Sequence, residues 1–118
     1  MSDSILDTVK GMIPVPVDYT PFDNQIIPLI NLTFLTLYQI GVGPHDCPFS
    51  ITGRSETWDQ FMPDEMIEAA KTYVGQSVAL KFDPPTNGAI RDAKNELIKE
   101  AEWRLNVYVE TPGREAQT

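Results

Sequence analysis

The chain has 118 residues and a mass of 13.2 kDa, which leaves room for one domain, residues 1–118. Hydrophobic residues make up 42% and charged residues 22% of the sequence, as in an ordinary globular domain and unlike a disordered or fibrous chain. Nine basic residues against seventeen acidic ones give a net charge of -8, which disfavours non-specific binding to the phosphates of DNA or RNA.

Cysteine usage and hydropathy favour a reducing compartment and argue against a membrane. Cys47 is the only cysteine, so an intramolecular disulfide and an all-cysteine metal site are excluded. Residues 1–12 lack the basic start of a secretory signal. The apolar stretch 26–40 contains polar interruptions and is shorter than the ~20 residues needed to span a bilayer. We therefore expect a cytoplasmic protein in which residues 26–40 form a core helix.

Two helices are predicted in the first third of the chain. A short helix is expected over Ser4–Lys10 with the serine as its cap, followed by a proline-rich extended or turning segment at residues 11–21. A second helix should run from Thr20 or Asp23 as its cap to about Ile40, because the Gly-Val-Gly-Pro sequence that follows cannot continue it. Its core-facing residues at 100° per residue are Ile26, Ile27, Ile30, Phe34, Leu37 and Tyr38.

The middle of the chain is predicted to contain loops and one long helix. A minor β piece is expected at residues 49–51, where apolar residues alternate. Ser55 can cap a single turn that ends near Phe61, and the aromatic residues of this turn are expected to close one end of the bundle. A third helix should open at Pro63 and reach about Phe82.

A last helix follows, with Thr86 or Asn87 as its cap. Its apolar stripe keeps helical spacing for about five turns and consists of Ile90, Ala93, Leu97, Ile98, Ala101, Leu105 and Tyr108. Residues 111–118 form a polar tail that is expected to be flexible. In the preceding third helix, Gly75 is expected on the side opposite the apolar residues. These elements predict an all-α fold, a small antiparallel bundle of three main helices with short helical turns.

Some apolar residues fall outside the expected core. Leu29, Leu32 and Leu35 form a second row on the second helix, although one apolar face suffices for a small domain. Trp103 lies far from the centre of the last helix's stripe, so that it either anchors an interface or covers a loop of its own subunit. These four residues are the candidates for a subunit or partner interface, and they favour self-association.

No arrangement of residues predicts catalysis. His45, Asp46 and Cys47 are too close in sequence to form a nucleophile with its base, or to supply three or four metal ligands. The Gly41–Gly43 segment follows a helix and lacks the Gly-Lys-Ser/Thr ending of a phosphate-binding loop. We therefore predict no enzyme activity, no cofactor, no metal and no catalytic residue.

A series of segments occurs in a distinctive order: Phe22-Asp23 leading into Ile26-Ile27-Pro28-Leu29-Ile30-Asn31, Gln39-Ile40-Gly41-Val42-Gly43-Pro44, Phe49-Ser50-Ile51, Glu56-Thr57-Trp58-Asp59-Gln60-Phe61, Lys81-Phe82-Asp83-Pro84-Pro85, and Glu100-Ala101-Glu102-Trp103-Arg104-Leu105-Asn106. This series, over residues 22–107, resembles the head-tail connector proteins of tailed bacteriophages, also called adaptor or head-completion proteins.

The resemblance implies a small helical structural protein of the virion, assembled in the host cytoplasm and without catalytic activity. It implies a homo-oligomeric, dodecameric ring at the head-tail interface beneath the portal protein. Such a ring extends the channel for DNA, which passes without specific binding, and is the platform for a stopper or tail-completion protein.

The alternative from the residues alone is a small acidic regulatory protein that binds a single host or phage protein, for example an inhibitor that mimics DNA. Such mimics are expected to carry acidic residues in regular rows, whereas the acidic residues here are dispersed among Lys10, Lys71, Lys94 and Lys99. An enzyme is the third and least favoured class.

Overall fold

The computed structural model describes residues 4–13, 16, 18–44 and 46–110, and over these ranges it contains α-helices and no β-strand. The helices are α1 (Ile5–Gly11), α2 (Asp23–Gln39), α3 (Ile67–Phe82) and α4 (Gly88–Glu110), with short 3-10 turns at Trp58–Gln60 and Asp64–Met66. The architecture confirms the predicted all-α class. The expectation of a flexible tail concerns residues 111–118, which lie outside the described ranges.

Helix α3 is the centre of the fold, because α1, α2 and α4 each pack against it. Its most extensive contact is with α4. Lys94 near the start of α4 donates a hydrogen bond to Gln76 of α3 at 3.1 Å, whereas Tyr73, earlier in α3, interacts with Glu102, later in α4. The two helices therefore run antiparallel, as the sequence predicted for the bundle.

Side-chain caps begin the first and last helices. The Ser4 hydroxyl accepts a hydrogen bond from the backbone N–H of Asp7 at 3.4 Å. The Asn87 side-chain oxygen accepts from the N–H groups of Ala89 and Ile90 at 2.8 and 3.2 Å. Each cap satisfies N–H groups that have no partner within the helix, and both agree with the sequence prediction.

The start of α2 differs from the prediction. Phe22 occupies the cap position without a side-chain hydrogen bond, so neither Thr20 nor Asp23 is the cap. Asp23 is instead the first helical residue, and its carboxylate binds the ammonium group of Lys10. The end of α2 agrees with the prediction, because the glycine-rich sequence that follows Gln39 stops the helix.

The connection between α2 and α3 also corrects two boundaries. The turn before α3 follows Thr57, whose N–H donates to the Gln60 side chain at 3.2 Å, so Ser55 is not its cap. The helix predicted to open at Pro63 begins as a 3-10 turn, and α3 itself starts at Ile67. Both errors arise where short turns with (i, i+3) hydrogen bonds replace a regular helix.

Residues 49–51 form no β-strand, which corrects the prediction of a minor β piece. The Asn31 side chain of α2 takes the place of a neighbouring strand. Its oxygen accepts from the N–H of Ile51 at 2.7 Å, and its amide nitrogen donates to the carbonyl of Ile51 at 3.0 Å. One side chain therefore satisfies both backbone groups of a buried residue, so no second strand is required.

An aromatic cluster connects this loop region to the core. The rings of Phe49 and Phe61 pack against Phe34 of α2 with centroid separations of 5.2 and 4.6 Å. Trp58 is fully buried beside them, and its indole N–H donates to the hydroxyl of Thr8 at 3.0 Å. The aromatic residues of the turn before Pro63 are thus part of the core, as expected for a closing element.

Lys10 is buried, although the sequence placed it among the dispersed charges. Its ammonium group donates to the carbonyl of Tyr19 at 2.7 Å and to the carboxylate of Asp23 at 2.8 Å. Burial of a lysine requires such partners, because an unpaired ammonium group in the interior is strongly unfavourable. The pair joins the end of α1 to the start of α2.

The apolar stripe of α4 is only partly in the core, which corrects the prediction. Ala101 and Leu105 are buried, but Ile90, Ala93 and Leu97 are exposed. All residues from 88 to 93 are exposed, so no part of the described protein covers the first turns of α4. Helical spacing alone does not reveal this, because it shows which residues share a side and not whether another helix covers that side.

Gly75 was also misplaced by the helical wheel. It is buried, and a Cβ atom built on it would lie 2.0 Å from the sulfur of Met12, just after α1. Helix α3 has neighbours on several sides, so the side opposite its main apolar arc is also packed. The absence of a side chain at this position allows the chain around Met12 to approach α3 closely.

Candidate interaction surfaces

The outward side of α2 exposes two large apolar side chains. Leu32 is 49% and Leu35 is 38% exposed, whereas Ile30, Phe34 and Leu37 of the same helix are fully buried. The separation follows from helical geometry, because the two leucines lie on the side of the helix opposite its buried residues. Burial of a leucine side chain away from water is favourable, so this side of α2 can bind a partner protein.

Leu29, the third residue of the predicted row, behaves differently. It is half-buried and packs against the core cluster at the edge of α2. Of the predicted row, Leu32 and Leu35 therefore reach the surface most fully. We call the exposed positions along this side, Pro28, Leu32, Leu35 and Gln39, the outer leucine face.

The outer leucine face carries no charge. Asp23 is the only ionisable acidic or basic residue of α2, and its carboxylate is paired with Lys10. In a chain with seventeen acidic and nine basic residues, an exposed helix side without charge is a distinctive surface. The centres of protein interfaces are depleted of charged residues in the same way, because burial of a charge is unfavourable.

Trp103 lies on α4 and is 62% exposed, so no loop among the described residues packs over its ring. The guanidinium carbon of Arg104 lies 5.9 Å from the centroid of its ring. A shallow groove runs beside it between the start of α3 and the end of α4, lined by Glu65, Met66, Glu68, Ala69, Trp103, Arg104, Val107 and Tyr108. An exposed tryptophan beside a groove is typical of the anchor residues in protein interfaces.

Sequence reasoning missed a further apolar surface on α4. Ile90 and Leu97 are 51% and 50% exposed, and Ala93 lies between them on the same side. We call these three residues the Ile90 stripe. The helical spacing suggested a core, and the sequence carries no local signal that the other helices leave this side uncovered.

The described residues contain no cluster of three or more His, Cys, Asp or Glu side chains that could hold a metal ion. Cys47 is exposed and its thiol is free. His45, the first residue of the sequence cluster His45-Asp46-Cys47, lies outside the described ranges. None of the helices in the described ranges is long and apolar enough to cross a bilayer.

The perturbed ionisable groups take part in structural interactions. The pKa of Tyr73 is raised mainly by burial, and further by the nearby Glu102 carboxylate and a hydrogen bond to it. The hydrogen bond and charge of Asp7 raise the pKa of Arg54, whose guanidinium group binds both carboxylate oxygens at 2.8 and 3.0 Å. These contacts join α3 to α4 and α1 to the loop before α3, respectively.

One comparison with known proteins gives a match. The family model described as phage connector protein matches residues 5–112 of the chain. The matched region includes all four helices and every candidate surface described above. Neither a curated protein nor a solved structure matches the chain.

Proposed function

The chain belongs to the phage connector protein family, and on that premise we propose that it is a structural virion protein that acts as a head-tail connector, or adaptor. Its copies form a dodecameric ring under the portal vertex, after synthesis in the host cytoplasm. The ring extends the DNA channel of the head and is the platform on which a stopper or tail-completion protein attaches.

The observation that carries the proposal is the apolar surface that remains after the subunit has closed its core. Leu32, Leu35 and Trp103 are exposed in a chain whose interior already contains a continuous apolar cluster. A ring subunit needs such surface, because association buries it against the neighbouring copies. We propose that Leu29, Leu32, Leu35 and Trp103 lie at or beside the subunit or partner interfaces.

The role is structural and not enzymatic. The described groups with shifted pKa values, Arg54, Glu56 and Tyr73, are engaged in contacts that hold segments of the fold together. The grooves along α4 are shallow and open, whereas small-molecule sites are usually enclosed and have converging polar groups. These observations support a protein that works through its surfaces.

The negative charge suits a channel through which DNA moves. With a net charge of -8, the ring repels the phosphate backbone, so the genome slides through without binding to the wall. We expect no measurable affinity for double-stranded DNA at physiological salt in a gel-shift or anisotropy assay. A ring with a basic lumen would contradict this part of the proposal.

Electron microscopy and light scattering of the purified protein, alone and mixed with the phage's portal protein, test the function. We expect rings on the portal, with or without rings in the free protein. A chain that stays monomeric and does not bind the portal would contradict the proposal, and would favour the small acidic regulatory protein as the alternative.

A further inference from the structure

We infer that neighbouring copies in the ring meet through two different surfaces, the outer leucine face of one copy and the Ile90 stripe of the next. This inference rests on the proposed function and deepens it by naming both sides of the subunit contact. The Ile90 stripe is the side that the sequence had assigned to the core.

Charge favours a second copy of this chain as the occupant of each surface. Two copies that each carry a net charge of -8 repel one another, so they approach best through surfaces without net charge. The outer leucine face has no charged residue. Ala93 and Leu97 line a shallow groove with Glu96, Lys99, Glu100 and Arg104, whose two negative and two positive charges cancel.

The two surfaces also share the same helical spacing. Leu32, Leu35 and Gln39 follow one another at intervals of three and four residues, and the Ile90 stripe has the same spacing. Each surface is therefore a ridge about two turns long on a regular helix, which suits packing of one helix against another. The small Ala93 between two larger side chains leaves a recess for a leucine of the neighbour.

The fold places these surfaces so that contact between them does not end in a dimer. Helix α3 packs against both α2 and α4, and the outer leucine face lies on the side of α2 away from its buried residues. The surfaces lie on two different helices, so they are two different surfaces of the subunit. A contact between two different surfaces is heterologous, and repetition of it gives a ring when the rotation closes.

Two charge insertions test this contact, Leu35→Glu on the outer leucine face and Leu97→Glu on the Ile90 stripe. Both leucines are exposed, so we expect each variant to keep the helical circular dichroism and the unfolding midpoint of the original chain. Ser55→Glu, at an exposed loop position, adds the same charge outside both surfaces and is the control. We expect each leucine variant, but not the control, to lose self-association by at least tenfold.

An equimolar mixture of the two leucine variants distinguishes heterologous from isologous contact. The intact stripe of the Leu35→Glu chain can bind the intact face of the Leu97→Glu chain, but the complex cannot grow further. We therefore expect light scattering to report twice the 13.2 kDa mass of one chain. Two variants that remain monomeric together under conditions in which the original chain self-associates, or that each assemble like the original chain, would overturn the inference.

The same variants are also examined with portal protein present, where assembly is counted as copies bound per portal. We expect the original chain and Ser55→Glu to fill the portal, and the leucine variants to bind it sparsely. Leucine variants that fill the portal would overturn the inference while the proposed function stands. An original chain that neither self-associates nor binds the portal would reject the proposed function itself. If Leu35→Glu loses portal binding but keeps self-association, the outer leucine face binds the portal and not a neighbouring copy.

Discussion

The ammonium group of Lys10 lies 2.8 Å from a carboxylate oxygen of Asp23 and joins α1 to α2. The lysine side chain is fully buried, whereas 18% of the aspartate side chain is exposed. Removal of the aspartate is therefore expected to change the free energy of unfolding by a different amount from removal of the lysine. A buried ammonium group without its carboxylate is much less favourable than a partly solvated carboxylate without its ammonium group.

We expect Asp23→Ala to lower the free energy of unfolding by about 3 kcal/mol, because it removes the counter-charge of a buried lysine. Lys10→Met should cost about 1 kcal/mol, since an apolar side chain of similar length fills the same space. Urea unfolding measures both values, with Asn24→Ala at an exposed position of the same helix as the control. Equal losses for the two variants would contradict the assignment of the burial penalty to the lysine.

The pairing of Asn31 with Ile51 predicts a second effect on stability. Asn31→Ala leaves the N–H and the carbonyl of a buried residue without partners, so we expect a loss of about 2 kcal/mol. Hydrogen exchange at the Ile51 amide should become faster in the same variant. Gln25→Ala, at an exposed position of α2, should change neither quantity. An unchanged exchange rate in Asn31→Ala would show that the loop is held by other contacts.

The close approach of Met12 to Gly75 predicts coupling between these two positions. Alanine is favoured over glycine in a helix by about 1 kcal/mol, but at this position its Cβ would overlap the Met12 sulfur. Met12 is half-buried and its sulfur lies near the end of a flexible side chain, so we expect it to move aside and Gly75→Ala alone to leave stability nearly unchanged. In a Met12→Ala background the same substitution should stabilise the protein by about 1 kcal/mol. A double-mutant cycle on urea unfolding measures the coupling, and additive effects would contradict the packing described.

The hydrogen bonds of the Glu56 carboxylate predict that this group contributes to the pH dependence of stability. Burial raises its pKa, but hydrogen bonds from the Thr52 hydroxyl and from the N–H groups of Thr52 and Gly53 outweigh this effect, so that the pKa lies below its ordinary value of 4.5. A lowered pKa in the folded state gives stability above the unfolded-state pKa, and this stability is lost as the pH falls through the folded-state pKa.

We therefore expect Glu56→Gln to lose less stability than the original chain when the pH is lowered from 7 to below 4.5. Urea unfolding midpoints at several pH values measure the difference. Ser55→Gln, at an exposed position of the same connection, is the control and should follow the original chain. Parallel pH profiles for Glu56→Gln and the original chain would refute the role given to this carboxylate.

The two tryptophans offer an optical test of assembly. Trp58 is fully buried in the subunit, whereas Trp103 is 62% exposed. If Trp103 lies in an interface, its emission should shift to shorter wavelength when the protein assembles, and Trp103→Phe should abolish the shift. Trp103→Ala should weaken assembly without lowering the unfolding midpoint. Emission that does not change between dilute protein and rings would place Trp103 outside the interface.

Local signals in the sequence were sufficient for most helix positions. The caps at Ser4 and Asn87 and the glycines after Gln39 act within a few residues, so their effect can be read without knowledge of the fold. The apolar spacing of α2 likewise separated its buried side from Leu32 and Leu35. The surplus apolar surface on α2 was therefore accessible from the sequence alone.

The features that sequence reasoning missed depend on distant neighbours. Lys10 is buried because α2 begins beside it, and Gly75 is packed because the end of α1 crosses α3 there. The Ile90 stripe has the spacing of a core surface, but α3 does not cover it. In each case the helical wheel shows which residues share a side, while the arrangement of the other helices decides which sides are covered.

The attachment of α4 has a consequence for a ring. Its fully buried contribution to the core consists of Ala101 and Leu105, and it packs mainly along α3. Under the proposed function, the uncovered first turns of α4 would meet an adjoining molecule, while Ala101 and Leu105 further along the same helix hold it in the interior of its own subunit. One helix would then belong both to the inside of a chain and to the joint with the next one.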